Sequence, residues 1–351
     1  MGYQFRENGG AYINDMIRKA VENGEHSYTI TGNWEIEEAI KVPSDFALIL
    51  DNCHLRMKDG VISNMITNEH IGCLSPLVKD YDITIEGRGR VILDGGNPNG
   101  LHERTMKSGQ FPGVTTCTVN SPMLFAHVDG IRIRGLQIRN QRYWGMTFVY
   151  CGHGVVQDIE FRSNDTWIDE NGQEQHGIFR GRSKNMYEAI LVKNSDGIDL
   201  RCGCHDFIIE NITGYTEDDT VALTALFGGT EQKYYVEGAL KEICNVTIRN
   251  VNSAALCSNV RLLNGDGVLL HDILVDGVFD AMRECRFGDI GLSHVKIGDS
   301  HNYGQELSKP GEVYNITVKN VHAIGKAGPL KIECVIHNLS TENIHHSGPY
   351  A

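Results

Sequence analysis

Two acidic phrases in the chain have the residue types and spacing for chemistry: NSDGIDL at 194–200 and TEDDTVAL at 216–223. Asp196 and Asp218 are 22 residues apart, Asp219 adjoins the second, and Asp199 follows the first. Carboxylates brought close together cannot all ionise, so at least one of their pKa values must rise. A protonated carboxyl beside an ionised one is the acid and base pair that glycoside hydrolysis requires. The acid protonates the leaving oxygen, while the base activates water or the carboxylate attacks directly. Asp196, Asp218 and Asp219 are therefore the candidate catalytic residues. Two plainer readings compete. Asp-Gly and Asp-Asp are ordinary turn residues, and Asn194 suits one step of an asparagine stack. Clustered carboxylates also suit a calcium ion. Turn chemistry seldom requires three Asp in register, which favours catalysis, with no metal and no other cofactor expected.

Substrate-binding candidates surround the acids. Asp199 belongs to the same patch. Tyr143 and Trp144 precede Asp196 by one or two repeats, and an aromatic face is a common platform for a sugar ring; the plainer role is strand packing. His176 lies in a polar loop before the acids and is equally consistent with a solvated loop position. Arg201 and Arg261 either hold a substrate hydroxyl or carboxylate, or neutralise the aspartates.

The elements that must position these residues are short strands. One helix is visible, in the stripe Ile13, Met16, Ile17, Ala20 and Val21, stopped by Asn23-Gly24. After it, short apolar runs ending in Asn or Gly recur: LQIRN (136–140), IEFRSN (159–164), FIIENITG (207–214), VTIRNVN (246–252), ILVDGV (273–278) and ITVKNVH (316–322). Their Asn or Gly falls at Asn140, Asn164, Asn211, Asn250, Gly277 and Asn320, at gaps of 24, 47, 39, 27 and 43. These gaps suit one or two turns of roughly 22–24 residues with insertions, a period that points to a solenoid. Val/Ile-rich strands with so little helix between them do not suit a βαβ sheet. The predicted fold is all-β, a single-stranded right-handed parallel β-helix, one domain over 1–351. Residues 10–60 would form the N-terminal cap and first turns, with the helix covering the open end. The non-periodic stretches 97–120, 165–187 and 227–242 are insertions expected to line the functional face.

Composition narrows the partners. A formal charge of −13 repels phosphate backbones, so nucleic acid is excluded as a partner; an acidic sugar would need local Arg or Lys. No apolar stretch approaches membrane-spanning length, and no secretory or myristoyl signal is evident at MGYQFRENGG. A cytoplasmic location with reduced thiols is the expectation for the ten scattered cysteines. Cys202-Gly203-Cys204 lacks a second Cys or His pair at zinc spacing. The side faces of a β-helix also permit a homo-oligomer.

The acidic phrases resemble those of the polygalacturonases, glycoside hydrolase family 28, which have the pectin-lyase-like right-handed β-helix. That family carries N-T-D, then D-D about one turn later, then G-H-G, then R-I-K. Asn194-Ser195-Asp196 is similar to the first and Asp218-Asp219 to the second. IRNQRYWGMTFVYC (138–151) looks like the family strand before them, and VPSDFALILDNCHLRMKDG (42–60) like its first turns. The resemblance spans most of the chain. It implies an inverting hydrolase with Asp218 or Asp219 as acid, and Asp196 with the other Asp positioning water.

The departures are specific. No G-H-G follows Asp219; Cys257 or Ser258 takes the place of its His, and Gly152-His153-Gly154 lies upstream, where His153 reads as a turn residue. Arg261 matches the start of R-I-K, but Leu263 stands where the family has Lys. Those two family cations hold a substrate carboxylate, so this loss argues against polygalacturonate. With a cytoplasmic address and insertions closing the groove, the expected reaction is exo hydrolysis of a short oligosaccharide. A β-helix polysaccharide lyase and a non-catalytic carbohydrate-binding solenoid are the rival readings.

Overall fold

In the computed structural model, the residues described are 4–163, 166–168, 171–176, 194–281, 293–324 and 328–347. The strands coil into a right-handed parallel β-helix with two parallel sheets running its length, eleven and nine strands among the described residues. The first sheet holds long strands, among them Val128–Arg139, Gly152–Arg162, His205–Thr216, Ile243–Ala255, Leu270–Asp280 and Val313–Ala323. The second holds short ones, in the order Ile40–Val42, Ile66–Asn68, Met123–Ala126, Met146–Val149, Ile198–Leu200, Val221–Ala225, Val260–Asn264, Val295–Gly298 and Leu330–Glu333.

Alternation within each strand sends every second side chain inward, and parallel register stacks like on like. Leu136, Ile159, Ile212, Val251, Val278 and Val321 form one such column, all buried. Met123, Met146, Ile198, Val221, Val260 and Val295 form the facing column of the short sheet, each fully buried. One contiguous apolar core runs from Ile13 to Val321. Each such side chain contributes about 1.5–3 kcal/mol by leaving water.

The recurring Asn and Gly do a specific job. Asp158, Asn211, Asn250, Gly277, Asn320 and Asn343 all have positive φ and interrupt the long strands at one place per rung. Asn and Asp tolerate this left-handed geometry because their short polar side chains bond locally. The Asn250 amide donates to the Asn211 oxygen (2.8 Å), and Asn343 donates to Asn320 (3.0 Å). The sequence reading had placed Asn140 in this series, but Asn140 ends its strand, at a different corner; Gly135 is left-handed within that rung. Asn164 lies outside the described residues.

Helix α1, Gly9–Glu22, buries Ile13, Ile17 and Ala20 against the first turns. Val21, assigned to its apolar stripe from the sequence, is 49% exposed, so the seam is narrower than expected. Among the described residues no helix is long and apolar enough to cross a membrane.

Candidate active site

The short sheet positions the acids. Met146, Ile198, Val221 and Val260 are in register. The residues two positions earlier in each rung are therefore Trp144, Asp196, Asp219 and Ser258. The Gly197 N–H donates to the Asp219 carbonyl at 2.9 Å, and the Thr220 N–H to the Ser258 carbonyl at 2.9 Å. Gly197 permits this close stacking: a Cβ there would lie 2.3 Å from the Thr220 carbonyl and 2.9 Å from the Phe161 ring below.

Asp196, Asp218 and Asp219 converge, with carboxylate oxygens within 4.8 Å of one another. The Asp219 N–H donates to Asp196 Oδ1 (3.1 Å), and the Ser258 N–H donates to Asp219 Oδ1 (2.7 Å). Burial, reinforced by the neighbouring acids, raises Asp196 well above the ordinary carboxyl range. Burial followed by the Asp218 charge pushes Asp219 up to about 7, while Arg261 opposes the rise. Asp218 is raised by burial, countered by a hydrogen bond from the Cys257 thiol and by the Arg261 charge. Cys257 and Ser258 thus occupy different positions: the thiol faces Asp218 and the Ser258 backbone faces Asp219.

Asp199 is corrected. The sequence reading made it a substrate contact, but it is fully buried and does not line the cleft. It lies within hydrogen-bond reach of Asp196, and two carboxyl oxygens bond only if one carries a proton. Burial is the largest cause of its own raised pKa. Among the described residues no hydrogen-bond donor reaches either Asp199 oxygen, the Arg201 guanidinium standing 4.0 Å off as an ion pair, so a proton shared with Asp196 is the arrangement that satisfies this pair.

Tyr143, Trp144, Arg201 and Arg261 line the walls of a cleft of about 450 Å³. Tyr143 and Trp144 stack on each other with ring centroids 4.6 Å apart. The Tyr143 hydroxyl donates to Glu103 (3.1 Å), which also accepts from the Asn194 amide (3.2 Å). Trp144 Nε1 is buried and has no acceptor. The Arg201 guanidinium lies 4.5 Å from the Trp144 ring and donates to Glu231 at 2.5 Å. Arg261 is bonded to Asp299 through Nη2, and its Nη1 has no hydrogen-bond partner among the described residues. His176 ends a short hairpin strand, Glu174–His176, and its side chain lies outside the described residues. His153, expected at a turn, lies instead within the long-sheet strand Gly152–Arg162, at a left-handed φ; it does not line the cleft and is bonded to Asp129 at 2.5 Å. The Cys202 and Cys204 thiols are buried and bond to carbonyls of Leu226 and Phe148.

Sequence reasoning did not name Glu103, Glu231 or Tyr303, which also line the cleft. Glu103 begins helix α2, Glu103–Lys107, and Glu231 sits in helix α3, Gly229–Tyr234. Both belong to insertions singled out by their polarity, but nothing in a loop sequence says which Glu turns inward. A larger groove of about 780 Å³ lies along the long sheet, lined by Asn250, Asn320 and Asn343 of the asparagine ladder, without an acid cluster.

No protein-family model matches the chain, and no curated protein matches it in sequence. Solved structures match it in shape. A hyperthermoactive exopolygalacturonase from Thermotoga maritima superimposes with a TM-score of 0.53 at 14% identity, covering 97% of this chain and 81% of that one. The fold is the right-handed parallel β-helix. An endo-xylogalacturonan hydrolase from Aspergillus tubingensis superimposes with a TM-score of 0.51 at 13% identity, over 99% of this chain and 93% of its own. A tailspike protein of E. coli bacteriophage HK620, solved with a pentasaccharide, aligns at 0.55 and 12% identity, over 97% of this chain and 63% of its own.

Proposed function

We propose that the chain is a glycoside hydrolase, inverting and exo-acting on a short oligosaccharide, with Asp219 as general acid. The observation that carries this is the convergence of Asp196, Asp218 and Asp219 within 4.8 Å at the floor of one cleft. Asp219, at about 7, keeps its proton in roughly half of the molecules in neutral solution and can deliver it to a leaving oxygen. Asp218 is also raised by burial, but a hydrogen bond from the Cys257 thiol, which Asp219 lacks, opposes the rise together with Arg261, and this suits it as the base. Asp196, tied to Asp219 and to buried Asp199, completes the water site. The polygalacturonase fold of the neighbours agrees with this reading, and the small cleft supports a short ligand.

Inversion comes from the family resemblance and not from the separation. Inverting enzymes commonly hold their carboxyls about 6.5–9.5 Å apart, a wider gap than here. The deciding experiment is proton NMR of the first sugar released from an oligosaccharide panel. An inverted anomer at the chain end supports the proposal. A retained anomer, an unsaturated ultraviolet-absorbing product, or random internal cuts would each replace part of it.

A further inference from the structure

Arg261 and Lys296 are register partners on adjacent rungs of the short sheet. Two cations one rung apart, facing the same way, make a natural receptor for a carboxylate. In this chain the receptor is already filled from inside. Asp299 Oδ2 accepts from Arg261 Nη2 and from Lys296 Nζ (2.5 Å), and Asp299 Oδ1 accepts the His301 N–H (2.8 Å). Asp299 is 6% exposed and Lys296 4%. The second flank of Lys296 is closed by Glu333, 2.9 Å away and shared with exposed Lys331 at 2.7 Å.

We infer that the sugar seated on Arg261, beside Asp219, is uncharged at C6: a neutral hexose or deoxyhexose and not a uronate. This rests on the hydrolase reading for the position of the sugar and narrows its substrate class.

Three observations converge. The only cation at this point of the cleft among the described residues, Arg261, is neutralised by Asp299. Arg261 lines the same cleft as Asp218 and Asp219, and its charge opposes the rise of both acids. An incoming carboxylate would meet ionised Asp218 and a guanidinium already paired to Asp299, and like-charge juxtaposition costs several kcal/mol. What Arg261 brings to the cleft is a guanidinium whose charge is already paired to Asp299, a donor suited to a hydroxyl oxygen more than to a second carboxylate. The third wall is Tyr303, 63% exposed, with its ring 6.0 Å from the Arg261 guanidinium. An exposed aromatic face beside such a donor suits the apolar face and hydroxyl edge of a neutral sugar.

The test uses matched pairs of oligosaccharides differing only in CH₂OH or COO⁻ at C6 of the terminal residue. Binding is measured by calorimetry at pH 7 on the full chain, alongside sugar release. The neutral member binds tighter by roughly tenfold or more, and Asp299→Asn, which frees the two cations, shrinks or reverses that ratio. The ratio in the unmodified chain stands by itself if Asp299→Asn does not fold. Tighter binding of the uronate, with loss of that preference in Arg261→Gln, overturns the inference, as does absence of binding to either member. Neutral preference without any sugar release sinks the hydrolase reading and leaves the ligand class standing.

Discussion

The Asp219 backbone N–H donates to the Asp196 carboxylate across two adjacent rungs, at 3.1 Å. The same device recurs one rung on, where the Ser258 N–H donates to Asp219 at 2.7 Å. Each acid is thus pinned through one oxygen by the backbone of the next coil, and the helical pitch sets their spacing. Rigid strands hold catalytic groups more accurately than loops do.

That pinning leaves Asp219 Oδ2 to carry the proton. Asp219→Asn keeps the shape and the Ser258 bond and removes the acid. Turnover falls by about 10²–10⁴, the range for loss of a general acid, with KM nearly unchanged. In the unmodified chain, the rate falls as pH rises through about 7, where the coupled cluster releases the proton held by Asp219. An initial-rate series from pH 4 to 9 measures both. A basic limb unchanged in the residual activity of Asp219→Asn would assign the acid elsewhere.

The same shift has a sign for stability. A free carboxyl titrates near 3.8 and folded Asp219 near 7. Between those values the folded state binds a proton that the unfolded state lacks, so stability falls as pH rises and levels off above 7. Asn cannot ionise. Asp219→Asn is therefore more heat-stable than the unmodified chain at pH 8, and the gap closes toward pH 4. Melting curves at the two pH values check this; an equal gap at both would mean that Asp219 does not titrate in this window.

Glu231 is the buried partner of Arg201, and removing it leaves a desolvated guanidinium beside the Trp144 ring. Glu231→Ala costs about 3–5 kcal/mol of stability, the usual penalty for orphaning a buried charge. Arg201→Met with Glu231→Leu recovers most of it. Denaturant titration of the three variants tests the pair, and a loss under 1 kcal/mol in Glu231→Ala would show it to be solvated.

The coil was legible because its signal is repeated. Val/Ile strands broken by left-handed Asn and Gly carry the same information in every rung, and a misplaced copy such as Asn140 does not spoil the rest. The acid trio was legible because the 22-residue spacing lies within one residue of the rung, 23 residues from Ile198 to Val221, and register does the remainder. Asp199 was misjudged because alternation decides which side a strand residue faces but not whether a neighbour covers it. Glu103, Glu231 and Tyr303 come from insertions with no period, where only the folded loop decides what turns inward. Asp299 was missed for a related reason: the search for a second cation looked beside Arg261 in sequence, at Leu263, while its register partner Lys296 is 35 residues on.

Three carboxylates this close also have the donor set of a calcium site, and the two readings part on protons. A calcium ion needs ionised oxygens, six to eight of them in typical sites, and would hold all three acids deprotonated. Here Asp196 and Asp219 each commit one oxygen to a backbone N–H, and burial keeps both raised. The proton is then the ligand, and millimolar CaCl₂ leaves the melting temperature and the rate unchanged, as does EDTA. A bound ion would instead stabilise the fold by about 2.7 kcal/mol at a hundredfold excess over its Kd. A calcium-dependent rise in melting temperature that Asp219→Asn abolishes would make the cluster a metal site and remove the proton donor on which hydrolysis depends.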